Sequence, residues 1–388
     1  MREEKKLKIV YLNPFLKDDP NRTQYQRPKY LSLKSRLFIF TGRKTVIPEE
    51  IRRNVTIIRG PLDFGRTKVL YQLWCFYKVL MLHRRFRFDL VYSTSHYFSS
   101  VPAFLLKLLG FKWVADIWDH PVLPLRIWEV SRQRKVRGFL GYVVAFIGVQ
   151  IMKKGLKYSN LVIAAIHPSA LTEFHISPQK ILKVTNGVDI SITQPERLKR
   201  EKVRLRLFYV GPVREARGLD VLLHSTAILK RKKKNVELIL VGSTRDEDEN
   251  YLNKMVERLG LEKDVNYFGI LDHKDVLNLM GNSDICIFPF PKKDVLDCIY
   301  PIKIFEYMAM GKAIVTTRLK GVSRIIKDDV TGLLVEPDNP TEMADAILSI
   351  DENQALKERL EVNARKASNR YDWKTINGMI NEKLAELQ

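Results

Sequence analysis

Short, continuous runs of apolar residues alternate with longer amphipathic stretches along almost the whole chain. Continuous apolar runs are typical of parallel strands that are buried on both faces and joined by helices. They predict strands at 7–13, 37–40, 55–60, 89–95, 112–119, 161–166, 205–211, 236–242, 265–270, 284–290, 313–317 and 332–337. Two consecutive series of this kind predict an α/β protein with two doubly wound, Rossmann-like domains.

The domain boundary is predicted from length and polarity. A chain of 388 residues is too long for one ordinary core, and the polar segment TQPERLKREK separates the two series at 193–202. We assign 1–199 to a first domain, 200–370 to a second domain and 371–388 to a C-terminal helix. Ligands of open parallel sheets bind beyond the carboxyl ends of the strands, so two such domains facing each other predict a cleft site.

The positive charge lies in the first half of the chain. Of the formal net charge of +22, residues 1–199 hold 35 Lys and Arg against 14 Asp and Glu, whereas 200–388 hold 31 against 30. This excess indicates an anionic partner: nucleic acid, a phospholipid surface or a phosphorylated acceptor. The stretch 132–157 sets apolar residues between two basic clusters. We expect most of these apolar residues in the core, and the basic ends, together with 83–88, at a lipid surface.

Cysteine spacing and hydropathy bear on the compartment. Cys75, Cys286 and Cys298 lie far apart and form no CxxC pair, which argues against a disulfide framework or a zinc knuckle. No apolar core of signal-peptide length precedes the first strand, and no uninterrupted apolar run is long enough for a membrane span. We expect a cytoplasmic protein that binds peripherally to the inner face of a membrane.

The segment YPIKIFEYMAMGKAIVTT, at 300–317, predicts a short helix, a glycine stop and a strand. Pro301 suits the first turn of the helix, where its missing N–H costs nothing, and the helix start offers backbone N–H groups to a phosphate. Lys303 and Glu306 are three residues apart and share one face of the helix. The alternative interpretation is a surface ion pair that contributes only about 0.2–0.5 kcal/mol.

Ordered pieces of the second half carry a family resemblance. They lie at 184–189, 209–223, 237–243, 267–291, 300–317 and 321–340. In this order the chain resembles the retaining, family-4-like GT-B glycosyltransferases, or glycosyl transferases group 1. The resemblance implies a GT-B fold, with two Rossmann-like domains facing a cleft and a C-terminal helix that crosses back to the first domain. It also implies a nucleoside-diphosphate sugar as substrate, retention of configuration, and no metal or other cofactor.

The resemblance assigns donor-binding residues in the second half. Glu306 would bind the ribose diol, and Gly269 and Ile270 would lie against the base. Five positions are assigned to the donor diphosphate: Arg214, Arg217, Pro301, Ile302 and Lys303. Two positions depart from the family pattern. Pro212 replaces a common arginine, and Cys298 replaces a sugar-binding glutamate, so Asp297, or else Asp294, is the candidate carboxylate beside Cys298 for the donor sugar.

Candidate acceptor residues lie in the first half. Asp119 and His120 end a predicted strand, and together they would orient an acceptor hydroxyl. Arg27, in QRPKYL, and His96, after VYSTS, are further acceptor candidates. The alternatives are a capping residue for Asp119, a helix-end ion pair for Arg27 and a packed histidine for His96. The spacing does not fit a metal-binding helix, so no metal is expected.

These features together predict a glycosyltransferase that acts on a lipid-linked, glycolipid or cell-surface polysaccharide acceptor. Its expected partners are a nucleotide sugar and an anionic membrane surface or phosphorylated lipid, and no nucleic acid is expected. One alternative is an inactive glycosyltransferase-like subunit, which Pro212 and Cys298 favour. Another is a nucleic-acid-binding protein that uses the basic half, although no RNA-binding pattern is present. The charge asymmetry argues against a nucleotide-sugar epimerase.

Overall fold

A computed structural model describes residues 6–13, 22–43, 45–52, 54–60, 68–94, 96–119, 138–191, 204–232 and 234–387. The chain forms two compact units: unit 1 comprises Met1–Gly187 and Trp373–Gln388, and unit 2 comprises Val188–Asp372. The predicted divisions lie after residues 199 and 370. The earlier start of unit 2 follows from Val188, which is buried in the core of that unit and donates its backbone N–H to the carbonyl of Tyr371.

Unit 1 is built on a seven-stranded parallel sheet. Its strands are β1 (Lys8–Leu12), β2 (Arg36–Thr41), β3 (Val55–Arg59), β4 (Leu90–Ser93), β5 (Lys112–Ile117), β6 (Leu161–Ala164) and β7 (Ile181–Lys183). They are ordered β3-β2-β1-β4-β5-β6-β7 across the sheet. The first six confirm the predicted strands. Strand β7 was missed because it is a three-residue edge strand whose side chains are half-buried or exposed.

Helices cover both faces of this sheet. They are α1 (Thr23–Lys34), α2 (Lys68–Phe86), α3 (Tyr97–Leu108), α4 (Gly138–Leu156) and α12 (Trp373–Ala385). Helices α2, α3 and α4 pack side by side, and α3 also packs on β4 and β5. Gly148 of α4 permits this close approach, because a Cβ there would lie 2.3 Å from the Tyr97 ring. Residues 132–137 of the basic–apolar stretch lie outside the described residues, and α4 buries one side as expected.

The C-terminal helix α12 belongs to unit 1, as the predicted crossing helix requires. It packs against α1, and its buried residues Ile376, Ile380 and Leu384 join the apolar core of the seven-stranded sheet. The chain therefore leaves unit 1 after Gly187 and returns to it at Trp373.

Unit 2 is a six-stranded parallel sheet with helices on its faces. Its strands are β8 (Leu205–Val210), β9 (Val236–Val241), β10 (Val265–Tyr267), β11 (Ile285–Phe288), β12 (Ala313–Thr317) and β13 (Leu333–Val335). Their order is β10-β9-β8-β11-β12-β13. The helices are α5 (Leu219–Arg231), α6 (Asp246–Arg258), α7 (His273–Gly281), α8 (Asp294–Asp297), α9 (Ile302–Ala309), α10 (Pro340–Glu352) and α11 (Gln354–Ser368). Both sheets have the predicted doubly wound α/β architecture.

Helix length and hydropathy also bear on membrane insertion. In the part of the chain that the structure describes, no helix combines the length and the apolar character needed to cross a bilayer.

Candidate functional site

The predicted donor residues all lie beyond the carboxyl ends of the unit 2 strands. Strand β8 is the point at which the strand order reverses, because β9 lies on one side of it and β11 on the other. A crevice opens at such a reversal, and ligands of open parallel sheets bind there. The segments that follow β8, β10 and β11 therefore form the candidate donor site.

Gly218 brings the loop after β8 against the loop after β11. It has a φ of 83°, which side chains disfavour, and a Cβ at this position would lie 1.9 Å from the carbonyl oxygen of Pro289. Gly218 is also the N-cap residue of α5, so the backbone N–H groups of the first helical turn start here. The glycine is thus required both by its backbone conformation and by the close approach.

Arg217 precedes this glycine and carries a charge that no carboxylate of the described residues balances. Its guanidinium lies 4.8 Å from the ring centroid of Phe290. Partial burial lowers the pKa of Arg217; nearby Tyr209 opposes this effect and Arg214 adds to it. Among the described residues, no Asp or Glu forms an ion pair with Arg217. A half-buried, unpaired guanidinium is suited to bind an anionic group such as a diphosphate.

Arg214 lies close to Arg217 but is partly neutralised. Its Nε is 3.7 Å from Asp248 Oδ2, and both side chains are mostly buried. Tyr209, beside both arginines, donates its hydroxyl to the carbonyl of Pro212 at 2.9 Å. Burial raises the pKa of Tyr209, and attraction to Arg217 and Arg214 counteracts part of that rise. Of the two arginines, Arg217 therefore has the greater capacity to bind a phosphate.

Glu306 is a buried carboxylate, and one of its oxygens accepts no hydrogen bond within the described residues. Only 1% of the residue is exposed, and Lys303 Nζ lies 2.9 Å from its Oε2. Its Oε1 has no hydrogen-bond partner among the described residues. Burial raises the pKa of Glu306, but attraction to Lys303 and interaction with His273 outweigh burial and keep the pKa below its usual value. An ionised oxygen that accepts no hydrogen bond from the described residues is a natural acceptor for a hydroxyl group.

The helix around Glu306 begins one residue later than predicted. Pro301 is the N-cap residue of α9 rather than its first helical residue, and Ile302 opens the helix. Both residues still stand at the helix start, at the carboxyl edge of the sheet, where backbone N–H groups are not used by the helix itself.

His273 is a site residue that sequence reasoning missed. It opens α7, and its Nε2 lies 3.6 Å from Glu306 Oε1, slightly beyond hydrogen-bond distance. That nitrogen is buried and has no hydrogen-bond partner in the described residues. The sequence feature that could have indicated His273 is its position shortly after strand β10, at the sheet edge where the other candidate residues lie.

The segment assigned to the base presents exposed apolar side chains. Gly269 has a φ of 65°, and its carbonyl accepts the Gly242 N–H at 2.7 Å. On either side of it, Phe268 is exposed and Ile270 is 80% exposed. Large apolar groups next to a fixed turn suit contact with a planar base.

Asp297 and Cys298 are both buried. Asp297 accepts the Lys320 N–H at 2.8 Å, and Lys320 Nζ lies 3.2 Å from its other oxygen. The Asp297 carbonyl also accepts the Gly321 N–H. This carboxylate therefore anchors the turn at 319–321, and a role in binding the donor sugar remains a prediction. The side chain of Asp294 lies outside the described residues.

In unit 1 the structure brings two predicted acceptor residues together. Asp119 follows β5, and His96 precedes α3 after the adjacent strand β4. Burial raises the pKa of Asp119, and the nearby His96 and Arg22 counteract part of that rise. Arg22, the N-cap residue of α1, is a further charged group here that no sequence motif indicates. His120 lies outside the described residues. Across those residues, no group of three or more His, Cys, Asp or Glu is arranged to hold a metal ion.

Arg27 does not face outward as an acceptor ligand. It is completely buried, and its Nε donates to Asp116 Oδ2 at 2.8 Å. Its Nη1 donates to Asn377 of α12 at 2.9 Å, while the Tyr92 hydroxyl donates to the same oxygen of Asp116 at 2.6 Å. The ion-pair alternative therefore describes Arg27 better, because α1 turns this side chain toward the sheet and α12.

Lys303→Met should destabilise the protein more at pH 7 than near pH 5. In the native protein the pKa of Glu306 is lowered from its usual value of 4.5, so its ionised form stabilises the fold at pH values above 4.5. This stabilisation is lost as the pH falls through the pKa of the folded state. Without Lys303, burial raises the pKa, so an ionised Glu306 destabilises the folded state at neutral pH. We expect a loss of about 1–3 kcal/mol at pH 7 that shrinks toward pH 5, measured by urea unfolding.

Lys232→Met is the matched control, because Lys232 forms an exposed pair with Asp345. It should change stability by less than about 1 kcal/mol at either pH. An equal loss for Lys303→Met at both pH values would contradict the role of Lys303 in holding Glu306 ionised.

Comparison with known proteins shows a likeness to glycosyltransferases over the half of the chain that contains this site. Residues 191–367 match the family model of glycosyl transferases group 1. The chain is 28% identical over 113 residues to alpha-D-kanosaminyltransferase of Streptomyces kanamyceticus, covering 29% of this chain and 28% of that protein. It is 26% identical over 121 residues to phosphatidyl-myo-inositol mannosyltransferase of Mycobacterium leprae, covering 31% of each protein. These alignments span less than a third of the length of either relative.

A solved structure extends the likeness over both units. Anabaena HepE, solved in complex with UDP and glucose, matches with a TM-score of 0.72 and 20% identity. The match covers 98% of this chain and 100% of that one. At this identity the likeness shows the fold. The second half of the chain is thus similar to glycosyl transferases group 1 over residues 191–367, and the chain has the GT-B fold.

Proposed function

We propose that this protein transfers a glycosyl unit from a nucleoside-diphosphate sugar to a hydroxyl of a lipid-linked, glycolipid or cell-surface polysaccharide acceptor. The transfer would retain the anomeric configuration and need no metal. Two observations on one sheet edge carry the proposal: among the described residues, Oε1 of buried Glu306 accepts no hydrogen bond and Arg217 has no carboxylate partner. Glu306 can accept a hydrogen bond from a ribose hydroxyl, and Arg217 can bind a diphosphate.

Stabilisation of the leaving group accounts for the basic residues of this site. As the bond from the sugar C1 to the phosphate oxygen breaks, negative charge grows on the departing diphosphate. Arg217, Lys303 and the N–H groups at the start of α9 would neutralise that charge, as fixed positive groups do for other developing anions. The acceptor oxygen bonds to C1 on the face that the leaving group vacates, and its proton passes to the departing phosphate oxygen.

A uridine nucleotide is the first donor to test. HepE of Anabaena, which shares this fold, was solved with UDP. The exposed Phe268 and Ile270 beside Gly269 would pack on the base. Glu306 would bind the ribose, and Arg217, with help from Arg214, the diphosphate. Asp297 and Cys298 remain the candidates for contact with the sugar.

The acceptor side would be formed by unit 1. Asp119, His96 and Arg22 interact at the carboxyl edge of its sheet, where a polar acceptor group can be bound. We propose that Asp119, with His120, orients the acceptor hydroxyl. A lipid-linked acceptor agrees with the name of the similar mycobacterial enzyme, a phosphatidyl-myo-inositol mannosyltransferase, and with the positive charge of residues 1–199.

Thermal stabilisation by UDP-, GDP- and ADP-sugars tests the donor proposal. A ligand that binds only the native state stabilises it, by about 2.7 kcal/mol at a hundredfold excess over Kd. We expect the sugar nucleotides of one base, and not those of the other two, to raise the Tm of the parent protein. The Glu306→Ala variant should bind that sugar nucleotide about 10- to 100-fold more weakly, because the substitution removes a charged hydrogen-bond acceptor.

Glu352→Ala is the matched control, since Glu352 is an exposed helical glutamate that pairs with Lys234. It should bind the nucleotide sugar as the parent does. A parent protein whose Tm is raised by none of the sugar nucleotides would instead support an inactive glycosyltransferase-like subunit.

A further inference from the structure

Helix α2 of unit 1 carries apolar side chains on its solvent face as well as on its buried face. Tyr71, Cys75 and Val79 recur every four residues and are buried. The opposite face carries an exposed row, the α2 stripe, defined as Leu70, Leu73, Tyr77 and Met81. Leu73 is 58% exposed and Tyr77 is 63% exposed. A surface helix normally turns polar residues to water, so this face is suited to an apolar contact.

Positive charge accompanies the stripe. Helix α2 contains no Asp or Glu, and it ends in exposed Arg84 and Arg85, followed by exposed Arg87. Within the described ranges, none of these three arginines forms an ion pair with a carboxylate. The neighbouring helices α3 and α4, which form the same layer, also contain no acidic residue. The outer surface of this layer is therefore both apolar and cationic.

We propose that the α2 stripe and these three arginines dock the protein on an anionic lipid bilayer. The apolar side chains would enter the boundary between head groups and acyl chains, and the guanidinium groups would contact lipid phosphates. Tyr77 suits this boundary because its ring is apolar and its hydroxyl is polar. Docking on a bilayer would bring the protein to the lipid-linked acceptor of the proposed function, and its biological purpose rests on that proposed function.

Charge favours lipid over the other possible occupants. In a symmetric dimer the same patch would face itself, so the arginines of the two copies would repel each other. The segment 120–137 of this chain holds five Lys and Arg and one Glu, so it is also a poor electrostatic match. The phosphates of a nucleic acid could bind the arginines, but a nucleic acid has no apolar region comparable to lipid acyl chains that would cover the α2 stripe.

Flotation with lipid vesicles, without any sugar nucleotide, tests the proposal. We expect the full chain to float with phosphatidylcholine vesicles that contain phosphatidylglycerol, and far less with phosphatidylcholine alone. Leu73→Ser/Tyr77→Ser should lower the partition coefficient by about tenfold or more, because two large apolar side chains no longer leave water. Arg84→Gln/Arg85→Gln should weaken binding mainly at low salt, where charge is least screened.

Val362→Ser is the control, since Val362 is an exposed apolar residue on α11 of unit 2, and it should float as the parent does. Absence of parent flotation, or unchanged flotation of the stripe variant, would overturn the proposal. So would a dimer in solution that Leu73→Ser/Tyr77→Ser dissociates. Thermal stabilisation by nucleotide sugars is measured on the same variants, so a failure of lipid docking and a failure of the donor site are separate results.

Discussion

Arg217→Met should lower the rate of donor turnover by about 10²- to 10³-fold, the usual effect of removing one preorganised group that stabilises developing charge. The guanidinium lies over Phe290, half-buried and without a carboxylate partner in the described residues. Its binding capacity is therefore available to the diphosphate. Release of nucleoside diphosphate from the donor, selected by thermal stabilisation, measures the effect.

The difference in affinity between a nucleoside diphosphate and the monophosphate distinguishes diphosphate binding by Arg217 from a structural role of this residue. The parent protein should bind a nucleoside diphosphate more tightly than the monophosphate, and Arg217→Met should remove most of that difference. Arg217→Lys should fall between the two, because it keeps the charge but loses the two-pronged geometry. Arg206→Met is the control, since Arg206 lies at the start of β8 and pairs with Glu237. A preference for the diphosphate that survives in Arg217→Met would refute the assignment.

Arg27→Met should destabilise unit 1 by about 3–5 kcal/mol, because removal of one partner leaves a buried charge without compensation. Arg27 and Asp116 are both completely buried, and Arg27 also bonds Asn377 of α12. The substitution therefore weakens the link between α1, the sheet and the C-terminal helix. Urea unfolding followed by Trp fluorescence gives the loss.

A double variant tests the cause of that loss. Arg27→Met/Asp116→Asn removes the unpaired charge and keeps a group for the Tyr92 hydroxyl, so it should recover a large part of the lost stability. Lys29→Met is the control in the same helix, because Lys29 forms an exposed pair with Glu50 whose loss should cost less than about 1 kcal/mol. A stable Arg27→Met protein with reduced acceptor affinity would restore Arg27 as an acceptor ligand.

Most of the fold could be predicted from local pattern. A strand buried on both faces must be apolar throughout, and such runs predicted every strand except β7, whose residues Ile181–Lys183 are not fully buried. The family resemblance of the second half also singled out Glu306 and Arg217, and their roles in donor binding stay predictions. The strand pattern depends on residues that are close together in the chain, so the sequence alone determined it.

Tertiary packing decided the rest. Periodicity tells which residues share a helix face, but it does not tell which partner that face meets, so Arg27 was assigned to an acceptor although α1 turns it toward Asp116 and Asn377. His273 approaches Glu306 only because the loops after β10 and β11 end at the same sheet edge. The α2 stripe was invisible for a similar reason. A helix that is apolar on all sides does not reveal which side remains exposed until its neighbours are in place.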